Sequence, residues 1–247
     1  MTNLSLDHLN VKTAFLNGNI DKEIYMWALK GFKKLSLDLG SLWWLHGSLY
    51  GLKQALLIWN NLLDRVLKLF SWHRLLLDWC IYIWHDSRGH LLILAVHVDD
   101  MLLAGNSHEL MEEVKAWLAK HFKIKDMGIL KLIVGLKVIC NEKQGMTAIS
   151  QGHFIDELAV RYHQESMLTA PMPLLSSFEF TSQDCLLTKA DKEEMSHLLY
   201  QSLVGALMYV MISTCPDITF AVGCLSRYLI NPGKQHWDQA LCVLNYL

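Results

Sequence analysis

No one sign of charge dominates this sequence. Its 22 basic and 24 acidic residues leave a formal charge of −2, so the chain as a whole lacks the basic surface that grips a polyanion. Any contact with nucleic acid has to be local. There is no Cys-x-x-Cys pair either: Cys80, Cys140, Cys185, Cys215, Cys224 and Cys242 stand apart. With no signal-peptide pattern, that scatter points to an intracellular location, cytoplasmic or nuclear rather than secreted, and away from zinc or disulfides. The cysteines read as small buried hydrophobes. The longest wholly apolar run is 203–212, far short of the roughly 18 to 20 residues that span a bilayer, so no membrane partner is expected. No repeat recurs at a fixed period.

What is present is core-forming material. Hydrophobic residues make up 52% of 247, with nine tryptophans and only four prolines. That is enough for one large or two small domains, and it excludes a disordered tail.

The stretch "CIYIWHDSRGHLLILAVHVDDMLLAG" predicts three β-runs, Cys80 to Trp84, Leu91 to Val98 and Met101 to Ala104, broken at Asp86-Ser87-Arg88-Gly89 and at Asp99-Asp100. "SHELMEEVKAWLAKHF" predicts a helix capped by Ser107, with Leu110, Val114 and Leu118 on one face, acids early and Lys115 and Lys120 late. A second helix is expected over 54–70, strands in "ILKLIVGLKVIC" and "MTAISQ", and a short helix in "GHFIDELAVRYH". Residues 169–184, with two prolines and many hydroxyls, read as a surface connection. Beyond them 189–247 is largely helical, broken near Pro216 and Pro232. The order β, α, β-hairpin, α, β-hairpin gives an α+β class, an antiparallel sheet with helices on one face.

The two adjacent carboxylates of "ILAVHVDDMLLAG", Asp99 and Asp100, sit at a predicted hairpin tip. Each raises the other's pKa unless a cation lies between them. Carboxylates aimed from a rigid sheet hold divalent cations that bridge an attacking and a leaving oxygen. The competing reading is a solvated turn.

Five collinear stretches decide between them: "VKTAFLNGNIDKEIYM", "SLYGLKQALLIW", "HVDDMLLAG", "FKIKDMGILKLIVGLKV" and "PDITFAVGCLSRYLINPGKQHWDQALCVLNYL". Their order and spacing resemble the reverse transcriptase of Ty1/copia-type retrotransposons over nearly the whole chain, the last leading towards ribonuclease H. The resemblance implies an RNA-directed DNA polymerase palm, with Mg2+ as cofactor and an RNA or DNA template-primer and dNTP as partners. Asp99 would be the main metal ligand of this hairpin and Asp100 its companion. The family's third carboxylate falls at Asn10, whose neutral amide is a weak acceptor in place of a bridging ligand. Catalysis is therefore expected to be crippled. Asp7 does not replace it, because an offset of three on a strand points to the opposite face.

By the same resemblance Tyr50 and Gly51 approach the nucleotide sugar, and Lys53 and Gln54 the template side. Lys123, Lys125 and Lys131 belong to a segment from Lys115 to Lys137 in which six lysines face the single acid Asp126, a candidate contact for a nucleic-acid backbone. His97 stands where the family carries tyrosine and is expected to be a buried strand histidine. The domains expected are a palm over 1–140 with truncated fingers, a thumb or connection-like segment over 141–185, and a helical segment over 186–247 leading towards an absent ribonuclease H. Asn10, Leu56 and Cys215 depart from the family's Asp, Pro and Arg, each by one C-to-T or G-to-A transition, the pattern of a decaying relic. Trp27, Trp43 and Trp44 are expected to be exposed. The alternatives are a non-catalytic module that binds nucleic acid or protein, and an unrelated metal-dependent hydrolase, for which no His or Glu cluster stands at ligand spacing.

Overall fold

The computed structural model describes residues 4–27, 42–141, 145–174, 185, 193 and 195–247. The exposure expected around "YMWALKGF" and the connection at 169–184 fall partly outside these residues. The chain divides into two compact units, residues 1–133 with 140–146 and residues 134–139 with 147–247.

The first unit is built on a six-stranded sheet in the order β4-β5-β6-β7-β1-β8. The strands are β1 (Ser5–Val11), β4 (His73–Arg74), β5 (Ile81–His85), β6 (Leu91–His97), β7 (Asp100–Gly105) and β8 (Ile124–Ile129), and every neighbouring pair is antiparallel. β1 alternates strictly: Asp7, Leu9 and Val11 are buried, while His8 and Asn10 are half-exposed on the other face. Leu92, Leu94 and Val96 of β6 and Met101 and Leu103 of β7 continue the buried face.

Two helices cover that face. α1 (Ala55–Leu69) buries Trp59, Leu63, Val66 and Leu67, and α2 (His108–His121) buries Met111, Val114 and Leu118, all in one core with the strand residues. Both spacings are helical, and both helices pack on the same face of the sheet. Ser107 caps α2, its hydroxyl accepting from Leu110 N at 3.5 Å, with Glu109 in the first turn and Lys120 and His121 in the last. Leu110, expected in the buried stripe, only packs against its edge, and Met111 takes the central position.

Between β1 and α1 lie a 3-10 turn (Ala14–Asn17) and a two-stranded ribbon of β2 (Tyr25–Trp27) and β3 (Leu42–Trp44). Trp27 and Trp44 are 69% and 53% exposed, and Trp43 is half-buried. A three-stranded sheet in the order β11-β10-β9 is formed by β9 (Leu132–Ile133), β10 (Leu136–Asn141) and β11 (Met146–Ser150), in the stretch of chain where one unit gives way to the other.

The second unit contains α3 (Gly152–Arg161), α4 (Tyr200–Ser213), α5 (Thr219–Ser226) and α6 (Lys234–Tyr246), with a 3-10 turn at Pro216–Ile218. Leu158 and Tyr162 share a core with Leu203, Leu207, Val222 and Val243. Proline opens the 3-10 turn where its missing N–H is cheapest. The cysteines are not uniformly buried as expected: Cys224 is buried, Cys80 exposed and the other four half-buried. No helix among the described residues is long and apolar enough to cross a membrane.

Candidate active site

The aspartate pair does not share the hairpin tip as the sequence suggests. His97 pairs with Asp100, so the two-residue loop is Val98-Asp99 and Asp100 is the first residue of β7. Asp100 pairs on its other side with Asn10, and Asn10 in turn with Lys125 of β8. Directly opposed residues point to one face. His97, Asp100, Asn10 and Lys125 therefore form a row across four strands on the face opposite α1 and α2.

Asn10 and Asp100 of this row are hydrogen-bonded to each other and to residues beside it. Asn10 Nδ2 donates to Asp100 Oδ1 at 3.0 Å and to Asp99 Oδ2 at 3.3 Å. His8, two residues before Asn10 and on the same face, meets Asp100 Oδ1 through Nε2 at 2.9 Å. Burial pushes the Asp100 carboxyl up, but the hydrogen bonds from Asn10 and His8, with the charges of His8 and His97, outweigh it and leave the carboxyl below its usual range. His97 is exposed at the end of β6, not buried as expected, because strand alternation turns it to the face opposite Leu92, Leu94 and Val96.

Asp7 faces the other way, as the strand alternation requires. It is buried beneath α2 and paired with Lys115, Nζ to Oδ2 2.6 Å. Lys115 also reaches Glu112 at 2.7 Å and Asp126 at 3.1 Å, so it is a core cation and not part of a basic surface. Lys123, Lys125 and Lys131 are exposed. Lys125 alone is in register with Asn10; Lys123 lies just before β8, where its carbonyl accepts from Lys12 N at 2.8 Å, and Lys131 follows the strand.

The "LYGLKQ" segment is brought to the same region. The Tyr50 ring lies tilted against Phe15, centroids 4.5 Å apart, and burial together with the negative charge of Asp99 pushes its phenol up. Gly51 takes a φ of 94°, which only glycine adopts freely, in the turn that opens α1. Lys53 is exposed and Gln54 caps the helix without a side-chain bond. Leu56 lies in the first turn of α1, 49% exposed, where proline and leucine are both tolerated.

Two site residues escape the sequence reading. One is His8, whose signal is its period-2 relation to Asn10. The other is Trp59, 1% exposed, whose indole N–H donates to the Val98 carbonyl at 2.7 Å.

The donor set is a poor fit for a pair of divalent cations. Two carboxylates remain, and the third group is an amide directing its N–H at both of them; turned over, its oxygen would face two anions. Among the described residues no three His, Cys, Asp or Glu side chains converge on a point.

Comparison with known proteins accounts for this frame. The family profile described as "Reverse transcriptase (RNA-dependent DNA polymerase)" matches residues 1–175. The chain is 36% identical over 244 residues to the "Retrovirus-related Pol polyprotein from transposon TNT 1-94" of Nicotiana tabacum, covering 99% of this chain and 18% of that protein. It is 33% identical over 246 residues to a "Putative transposon Ty5-1 protein" of Saccharomyces cerevisiae, covering 97% and 75%. The Pol polyprotein of transposon RE1 from Arabidopsis thaliana is 30% identical over 250 residues, covering 97% of this chain and 16% of its own length. The chain thus spans less than a fifth of the tobacco and Arabidopsis polyproteins. It belongs to the reverse transcriptase family, as a domain of the Ty1/copia-type retrotransposon Pol polyprotein.

Proposed function

We propose that this chain is a polymerase palm that keeps the frame for a template-primer and lacks the anionic set for two-metal nucleotidyl transfer. Reverse transcriptases act on a nucleic-acid template-primer and generally use divalent metal. Asp99 and Asp100 are the residues that would hold Mg2+ here, with Tyr50, Gly51, Lys53 and Gln54 on the nucleotide and template side. The observation that carries the reading is the Asn10 amide, donating to both aspartates at 3.3 and 3.0 Å. A neutral donor there does part of what a bridging cation would do, and it offers no negative charge to attract one.

The test is primer extension on an RNA template with Mg2+, comparing the chain with Asn10→Asp and Asp99→Asn. No extension by the unaltered chain and extension by Asn10→Asp place the defect at the missing carboxylate. Extension by the unaltered chain that Asp99→Asn abolishes overturns the reading.

A second reading is a non-catalytic nucleic-acid-binding module, favoured by the exposed Lys123, Lys125 and Lys131. It requires binding that needs no Mg2+ and weakens with salt. Replacing one contacting lysine by alanine then lowers the salt slope by about one.

A further inference from the structure

The backbone at the hairpin tip is strained. Val98 has a φ of 58°, in the left-handed region that a β-branched residue rarely enters. Such a conformation persists only where its surroundings hold it. Two hydrogen bonds do so: Trp59 Nε1 donates to the Val98 carbonyl at 2.7 Å, and Val11 N donates to the Asp99 carbonyl at 2.7 Å. The second is a strand-like bond from β1. The first comes from a helix on the other side of the sheet and is held in place by an edge-on contact of Trp59 with Phe122 at 5.1 Å.

We infer that Trp59 is a positioning residue for the carboxylate pair: its indole N–H latches the strained tip and keeps Asp99 and Asp100 both within reach of Asn10. Released, the part-buried Val98 carbonyl loses its donor and the φ is free to relax. Asp99, next in the chain, turns with it. The latch explains why a tryptophan is placed at this point of α1 rather than another large apolar residue. Ring burial needs no N–H, whereas holding a carbonyl does. The inference rests on the proposed palm reading only in its metal-binding arm below.

Trp59→Phe keeps an aromatic ring and removes the donor. The readout is hydrogen exchange by NMR at the Asn10 side-chain amide and the Val11 backbone amide, compared with Leu9 on the same strand. Loss of one hydrogen bond's worth of local protection speeds exchange about tenfold at Asn10 and Val11. Leu9 should move only with global stability. Trp117→Phe is the control for a tryptophan that only packs, here on Phe70 and His121. It is expected to change all three sites together. Val98→Gly accepts the positive φ without strain and is expected to restore protection in the Trp59→Phe background. Should phenylalanine leave the unit unfolded, 3-benzothienylalanine in place of Trp59, which exchanges N–H for sulfur at nearly the same shape, gives the same readout. Exchange at Asn10 and Val11 that follows Leu9 in either variant overturns the inference.

In the Asn10→Asp background, Mn2+ binding measured by water-proton relaxation is expected to weaken about tenfold on adding Trp59→Phe. Absence of Mn2+ binding by Asn10→Asp itself counts against the palm reading, while the exchange measurement still decides the latch.

Discussion

Lys115 of α2 lies with its Nζ 2.6 Å from Asp7 Oδ2 of β1, the two side chains only 11% and 9% exposed. The pair ties the helix layer to a central strand of the sheet. Removing the cation leaves Asp7 buried without the partner that neutralises it. Lys115→Met is expected to lower stability by about 3–5 kcal/mol, the cost of stranding one member of a buried pair. Urea unfolding checks it, and a loss below 1 kcal/mol would show that Asp7 is solvated. Asp7→Asn should cost less, since Lys115 keeps Glu112 and Asp126.

Acid should weaken the same cluster. Burial raises the Asp126 carboxyl, but the Gly128 amide and then Lys115 lower it further, so its folded pKa lies below the unfolded one. A group with a depressed pKa contributes stability above its unfolded value near 4, and that contribution is lost as pH falls through the folded value. Unfolding midpoints measured between pH 6 and pH 3 are expected to fall less steeply for Asp126→Asn than for the unaltered chain. Equal slopes would mean that the carboxyl is not held down in the folded state.

Gly105 ends β7 where the sheet meets α2. A Cβ there would lie 2.5 Å from a Leu92 methyl and 2.9 Å from Met111 Cγ. Overpacking of this kind costs about 1–3 kcal/mol. Gly105→Ala is expected to destabilise within that range, as thermal unfolding of the variant would show.

Restoring the family's aspartate should expose the cost of a metal site without metal. In Asn10→Asp three carboxylates share the site and the bridging N–H is gone, so at least one pKa rises, at about 1.4 kcal/mol per unit. The variant is expected to melt lower than the unaltered chain in EDTA and to be raised by Mg2+ through linkage. The unaltered chain should show little change. A melting point of Asn10→Asp that is indifferent to Mg2+ would contradict the proposed ligand set.

Much of this was legible in the sequence where one periodicity ruled. α1 and α2 announce themselves by apolar spacing and, for α2, by Ser107, and the three-strand run around the aspartates by its alternation. The family itself was legible through its collinear motifs. Other features depend on partners distant in the chain. Asp100 leaves the turn because it is in register with His97 on one side and with Asn10 of β1, ninety residues earlier, on the other. β8 reads as a lysine-rich connection until its pairing with β1 is known. Lys115 resembles its solvent-facing neighbours, and only the fold brings Asp7 and Asp126 to it. His97 belongs to an apolar run yet alternates onto the face away from the α1 and α2 core.

The place of β1 in the sheet also bears on how the domain is assembled. It precedes the other five strands of its sheet in the chain, yet it lies between β7 and β8, with Ser5 opposite Gly105 and Asp7 opposite Ile129. The meander from β4 to β7 closes through nearby turns, while β1 must wait for more than a hundred residues of chain before both its edges are paired. Contacts so distant in sequence are slow to form. Insertion of β1 brings Asn10 and His8 to the aspartates, so the site is among the last parts of the domain to be completed as it folds.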